Sequence, residues 1–160
     1  MLARKAAVEQ LRLMRVFLAN VEHLESLSIL FDQYRVFYQQ TSDIDSARLF
    51  LIERFECCDS IIFAARDGDQ IVGFTQLYPS FSSVSMKRVW ILNDLFVTFS
   101  HRNQGIARSL MAMARQYAEE TGAIRIGLST QQSNHAAQAL YESLGYEKDE
   151  VFDHYSLRLH

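Results

Sequence analysis

Apolar side chains recur at changing intervals along the chain, and those intervals divide it into elements. Met14 to Leu18 is a short apolar run that reads as a first strand. Leu24, Leu27, Ser28, Phe31 and Tyr34 keep helical spacing, which predicts an amphipathic helix over residues 21 to 35. Asp43 is a good helix N-cap, and Ala47, Phe50, Leu51 and Phe55 would face the core from a second helix. SIIFAAR (60 to 66) and QIVGFTQLY (70 to 78) flank the turn Asp67-Gly68-Asp69, a hairpin pattern. The serine-rich stretch Pro79 to Lys87 reads as a loop, and a long strand follows from Arg88 to Thr98.

Ile106, Leu110, Met113 and Tyr117 carry a helix over 105 to 121, which stops at Thr121-Gly122. IRIGLST (124 to 130) reads as a buried strand, Asn134 opens a helix ending at Leu144-Gly145, and EVFDHYSLRLH alternates as a final strand would. The predicted order is strand, two helices, three antiparallel strands, helix, strand, helix, strand. That is a mixed α/β fold in one domain, residues 14 to 160, with a parallel strand-helix-strand unit at its centre. Residues 1 to 13 read as a detachable extension, either a short helix or disordered.

Composition narrows the classes. The chain has 160 residues, enough for one domain with a proper core. Its 16 basic and 19 acidic residues are interspersed and give −3 overall, without the basic stripe that nucleic acid would require. A mildly acidic surface suits a cationic substrate. No stretch approaches the roughly 20 apolar residues of a membrane span. Charges at Arg4, Lys5, Glu9, Arg12 and Arg15 interrupt any signal-peptide core, so the cytoplasm is the expected compartment. Cys57 and Cys58 are adjacent and read as two reduced thiols. They have no histidine or cysteine at ligand spacing, and His101 and His154 lack partners as well, so no metal is expected.

The seam between the long strand and the helix at 105 carries chemistry. A helix entered through glycine presents unpaired backbone N–H groups and the positive end of its dipole, which suits a phosphate or diphosphate. Gly105 removes a side chain from that approach, Ala107 keeps the first turn small, and Arg102 adds a forked cation. Steric fit alone also explains a glycine there. Further on, Asn134, Ala137 and Tyr141 share one helix face. Read singly, Asn134 is an N-cap and Tyr141 a core tyrosine.

Together the two stretches resemble the Gcn5-related N-acetyltransferase (GNAT) superfamily. The Gln/Arg-x-x-Gly-x-Gly/Ala signature is present as Arg102-Asn103-Gln104-Gly105-Ile106-Ala107, after a strand ending in Phe96-Val97. A later Asn-x-x-Ala-x-x-x-Tyr pattern with a Gly-Tyr step is present as Asn134, Ala137, Tyr141 and Gly145-Tyr146. The resemblance implies a twisted, mostly antiparallel sheet of about six to seven strands with about four helices. It also implies acetyl transfer from acetyl-CoA, as cosubstrate, to an amine. By the same resemblance the backbone of Arg102 to Ala107 holds the diphosphate and the strand edge Leu95, Phe96, Val97 pairs with the pantetheine arm. Asn134 contacts that arm or helps order it, Arg108 adds charge near the phosphates or is an exposed helix arginine, and Tyr141 stands near the thioester sulfur.

The reaction needs a base for the ammonium, donors for the carbonyl oxygen and an acid for the leaving thiolate. Tyr141 can be the acid, a phenol near pKa ~10 facing a thiol near ~8.5. Many relatives carry a glutamate where this chain has Asn93, with Asp94 next to it. Alternation puts the two on opposite faces. Asn93 can orient a water, and Asp94 can hold a proton. A water-relayed base and direct transfer to Asp94 both stay open. The candidate acceptor residues are Asp32, Tyr34 and Tyr38 in FDQYRVFYQQ, and Tyr78 and Phe81 in YPSFSSVSMK. Aromatic rings with Asp32 would hold a cationic amine. The expectation is an N-acetyltransferase for a small-molecule primary amine such as a polyamine or amino acid, working as a homodimer. The alternatives are a non-catalytic acyl-CoA-binding module or an enzyme for protein or peptide amines.

Overall fold

The computed structural model describes residues 14–159, so the reading of residues 1 to 13 lies outside the described residues. The fold is mixed α/β, built as β1 (Met14–Leu18), α1 (Leu24–Phe37), α2 (Ile44–Cys57), β2 (Ile61–Asp67), β3 (Gln70–Ser82), β4 (Lys87–Val97), α3 (Ile106–Glu120), β5 (Ile126–Leu128) and α4 (His135–Ser143). The chain divides into two compact units, one ending at Ser129 and the other running from Thr130.

In the first unit the strands pair in the order β1-β2-β3-β4-β5. The first four are antiparallel, and β5 runs parallel to β4. Sequence signals for the helices are met locally. Asp43 caps α2, its carboxylate accepting the Ser46 N–H at 3.0 Å. Gly68 takes φ +56° in the β2–β3 turn, as the Asp-Gly-Asp pattern requires. Helices α1 and α2 bury Leu27, Phe31, Ala47 and Leu51 against Ile62, Ala64, Phe74 and Phe96 of the sheet. On the other face α3 buries Ile106, Leu110, Met111 and Ala114. Its Tyr117 ring meets Phe63 at 5.6 Å and Trp90 at 5.3 Å.

Two strand expectations are corrected. Residues 79 to 87 are not a loop: β3 and β4 stay paired out to Ser82 and Lys87, leaving only a tip at residues 83–86. Pro79 is tolerated because it lies opposite Trp90. The Trp90 N–H points to the other neighbour, donating to the Arg125 carbonyl at 3.1 Å, so β4 needs no donor from Pro79. The expected strand at the C-terminus does not form: residues 149–159 are irregular and Val151, Tyr155, Leu157 and Leu159 are exposed. Five strands are therefore present among the described residues. Alternation can qualify a segment as a strand but does not supply the neighbouring edge that pairs with it.

Gly73 fixes the approach of α3 to the sheet. A Cβ there would meet the Phe96 carbonyl oxygen at 3.0 Å and methyl groups of Val97 and Ile106 at 3.3 and 3.4 Å. Gly73→Ala is expected to destabilise by about 1–3 kcal/mol, the usual cost of overpacking. Chemical denaturation would measure it, and an unchanged midpoint would show that the sheet and α3 adjust freely.

The second unit holds α4, capped by Asn134, whose Oδ1 accepts the Ala137 N–H at 3.2 Å. The helix closes when Tyr146 N–H bonds the Tyr141 carbonyl at 3.0 Å, with Gly145 at φ +84°.

Candidate active site

The site is set by an irregularity in β4. Leu77 pairs with Leu92 but Gln76 pairs with Asp94, so Asn93 is an extra residue in a β-bulge. Cross-strand partners share a face. Leu92 therefore lies with Leu77 on the α3 side, and Asp94 lies with Gln76 on the side of α1 and α2. This corrects simple alternation, which would have turned Asp94 the other way.

On that side Asp94 is 4% exposed. Asn93 donates its amide to both carboxylate oxygens at 3.2 Å, and the Tyr34 hydroxyl donates as well. Burial nevertheless raises the Asp94 pKa above the ordinary carboxylate value, with the two hydrogen bonds opposing it. Tyr34 is held edge-on to Phe74 and Phe96 and to Tyr38, at 5.0 to 6.1 Å. Tyr78, two residues from Gln76, shares the face. Its phenol is pushed up to about 12, first by burial and then by the charge of Asp94, and so stays protonated at neutral pH.

The bulge also sets which backbone groups are free. Thr98 N–H donates to the Val72 carbonyl at 2.9 Å, so Phe96 and Thr98 point their groups to β3. Leu95 and Val97 point theirs outward. β5 pairs only with Trp90 to Leu92, so among the described residues no strand covers the outward edge at Leu95 and Val97. The Val97 carbonyl is taken by Arg102 Nε at 3.1 Å. Leu95 N–H, Leu95 C=O and Val97 N–H remain available to an extended ligand.

Just beyond lies the loop into α3. Asn103 has φ +60° and Gly105 φ +80°, which folds the chain so that α3 begins directly at Ile106. The first helical bond is Ser109 N–H to Gly105 C=O at 3.0 Å. Gly105 has no side chain to cap the turn, so the N–H groups of Ile106, Ala107 and Arg108 point into a space that an anion can enter. A Cβ on Gly105 would meet nothing within 4 Å, so the approach is open.

Several sequence-predicted residues change role. Arg102 is committed to the fold: besides holding Val97 it lies over Phe37, Phe96 and Phe99 at 5.2 to 5.7 Å. Gln104 bonds the Ser100 carbonyl at 3.2 Å and braces the loop. Asp32 is not open to a cationic amine. It is 5% exposed and accepts Ser42 Oγ and Asp43 N–H, both at 2.7 Å, tying α1 to the start of α2. Phe81 shares the face of Trp90 and lies under Arg88, so it does not join Tyr34, Tyr38 and Tyr78. Asn134 and Tyr141 belong to the second unit, where Asn134 is the α4 cap and the Tyr141 ring sits 6.0 Å from Tyr146.

The sequence reading missed Gln76, Ser60, Arg54 and Asp59. Gln76 Nε2 donates to Ser60 Oγ at 2.8 Å, and Arg54 Nε pairs with Asp59 at 2.9 Å; the charges of Arg54 and Asp59 both act on Tyr78. Only Gln76 left a trace in sequence, standing two strand positions from Tyr78.

Comparison with known proteins agrees with this geometry. The profile of the acetyltransferase (GNAT) family matches residues 25–146. An uncharacterised N-acetyltransferase of Bacillus subtilis (strain 168), YhfO, is 44% identical over 91% of this chain and 98% of its own length. The crystal structure of a probable acetyltransferase, 44% identical, superposes with a TM-score of 0.86 over 91% of this chain and 98% of that one. An aminoglycoside N-acetyltransferase in complex with CoA shares the fold at 23% identity, with a TM-score of 0.76 over 91% of this chain and 95% of that one.

Proposed function

The chain belongs to the acetyltransferase (GNAT) family, and from that premise we propose that it is an acetyl-CoA-dependent N-acetyltransferase for a primary amine of a small molecule, such as a polyamine or amino acid. The observation that carries the reading is the bulge at Asn93. It puts a held carboxylate, Asp94, one residue from an uncovered strand edge at Leu95. A base and an oxyanion donor are thereby supplied by neighbouring residues of one strand.

The residues present fit the coenzyme. The free groups of Leu95 and Val97 would pair with the pantetheine arm, and the N–H groups from Asn103 to Arg108 would hold the diphosphate. When bound, acetyl-CoA supplies the thioester. Leu95 N–H then stabilises negative charge on the carbonyl oxygen, an effect worth about 2.7–4 kcal/mol for one such donor. Asp94 takes the proton of the attacking amine, and Asn93 and Tyr34 orient its carboxylate. Tyr34, Tyr38 and Tyr78 present rings and hydroxyls to the amine. Tyr141 is assigned, on its place in the Asn134-to-Tyr141 pattern, as donor of the proton to the leaving thiolate.

CoA release with polyamines, amino acids, aminoglycosides and peptides tests the reading. Turnover of a small amine is the expected result. Turnover of peptides alone would move the enzyme to protein substrates. Saturable acetyl-CoA binding without release would leave a binding module.

Gly105→Val tests the diphosphate loop. The valine branches project into the open space at α3, and acetyl-CoA affinity should fall at least about tenfold, or about 1.4 kcal/mol. A β-branched residue at φ +80° also strains the backbone by about 1–3 kcal/mol, so calorimetric titration is made on protein shown to be folded. Unchanged affinity would remove the loop from the cofactor site.

The compartment we propose is the cytoplasm; among the described residues no helix is long and apolar enough to cross a membrane. We also propose a homodimer, since exposed Val151, Tyr155, Leu157 and Leu159 are costly to leave in water. Light scattering should give twice the 18.5 kDa of one chain at micromolar concentration, and the mass of one chain would refute the dimer.

A further inference from the structure

A cavity of about 410 Å³ opens on the α3 face of the sheet, between the α2–β2 turn, the β3–β4 hairpin and the last turns of α3. Its Arg88, Trp90, Tyr117 and Thr121 walls lie away from the candidate active site, while Ser60 and Asp59 at its rim also belong to the Gln76 and Tyr78 network. Trp90 and Leu95 are five residues apart on β4, about 15 Å at strand rise, and lie toward opposite ends of the strand. On α3 the cavity is reached by Tyr117 and Thr121, and the anion loop by Ile106, a helical distance of roughly 17–22 Å.

Part of the wall is flat and apolar, formed by Pro79, the Trp90 ring and the Tyr117 ring, and the rest is polar, with Ser60, Asp59, Arg88 and Thr121. Trp90 is fixed by its indole N–H, which donates to Thr121 Oγ1 at 2.9 Å. Arg88 lies over Trp90 at 5.3 Å and over Phe81 at 5.2 Å. An arginine held over aromatic rings keeps N–H donors for a further partner. Among the described residues no ion pair or hydrogen bond occupies them. The acid in the lining, Asp59, is already paired with Arg54 at 2.9 Å. The cavity thus combines aromatic walls with one uncompensated positive charge.

We infer that this cavity is a second ligand site, taking a small aromatic or alicyclic monocarboxylate. Its carboxylate meets the Arg88 edge as a charge-assisted pair, and its apolar body lies against Trp90 and Tyr117. The volume suits a ligand of that size, within the range of about 300–1,000 Å³ usual for small-molecule sites. The ligand binds alongside the coenzyme and does not compete with it.

Trp90 is the only tryptophan in the chain and lines this cavity, so its emission reads a ligand that enters there. The full chain is titrated with phenylacetate and with cyclohexanecarboxylate, and with the corresponding neutral amides. A saturable change in emission is expected with the carboxylates, unaltered by saturating CoA. Binding should weaken at least about tenfold with the amides and in folded Arg88→Gln, or about 1.4 kcal/mol. Equal binding of acid and amide, unchanged binding to Arg88→Gln, competition by CoA, or no saturable response each overturns the site. Should Arg88→Gln fail to fold, Cys58 at the cavity wall gives a second reading. In a Cys57→Ser background the carboxylates should slow Cys58 alkylation, and an unaltered rate would overturn the proposal.

Discussion

Asp94→Asn should lower kcat by about 10²- to 10⁴-fold, the range of a lost general base, while leaving the fold intact. The substitution keeps the shape and keeps an acceptor for the Tyr34 hydroxyl and the Asn93 amide. It removes only the ability to hold the amine's proton. The wild-type kcat/KM profile should fall on the acid side, as Asp94 protonates, at a pH above the ordinary carboxylate range because burial raises its pKa. That limb should vanish in the variant. Stability should move the other way. With its folded-state pKa raised, the native protein binds this proton more tightly than the unfolded chain does. Ionised Asp94 therefore subtracts from stability as pH rises from the carboxylate range through the raised value. At neutral pH the Asn variant should melt no lower than wild type. Asn93→Ala gives a companion reading. Its amide lowers the Asp94 pKa, so its loss should push the acid limb to higher pH. Wild-type turnover in folded Asp94→Asn, with chemistry limiting, would return the base to a water relay.

These expectations depend on a bulge that sequence patterning does not disclose. Helix starts and turns were legible because their causes are local: the Asp43 carboxylate bonds Ser46 three residues on, and Gly68 adopts the turn its flanking aspartates announce. The motif around Gly105 was legible for the same reason. Strand register is different, because it is decided between strands. Whether Asp94 faces α1 or α3 depends on Asn93 being left over when Gln76 pairs past it, and nothing in LNDLF states that. The serine-rich arm of β3 misled because its proline and serines read as loop formers, although Pro79 and Phe81 alternate with Ser80 and Ser82 and share the face of Trp90. Arg102 and Asp32 misled through the choice of partner. A charged side chain in sequence advertises a ligand, but here the backbone of Val97 and the start of α2 were the partners it met.

Tyr141→Phe should lower kcat by roughly 10- to 1,000-fold if the phenol protonates the leaving thiolate, since a positioned acid is worth up to about that much. The affinity for acetyl-CoA should hardly change, because the ring keeps its volume. The basic limb of the kcat profile should move or disappear, because the phenol donates only while protonated. A purely structural role predicts something else. In the second unit the Tyr141 carbonyl receives the Leu144 and Tyr146 N–H groups, and Phe supplies the same carbonyl. Loss of one hydroxyl bond would then cost at most about 1 kcal/mol of stability and leave the rate alone. Rate, basic limb and melting point together separate the two roles. Wild-type turnover in a folded variant, measured where chemistry limits, would withdraw Tyr141 from the reaction while leaving Asp94, the Leu95 edge and the Gly105 loop in place.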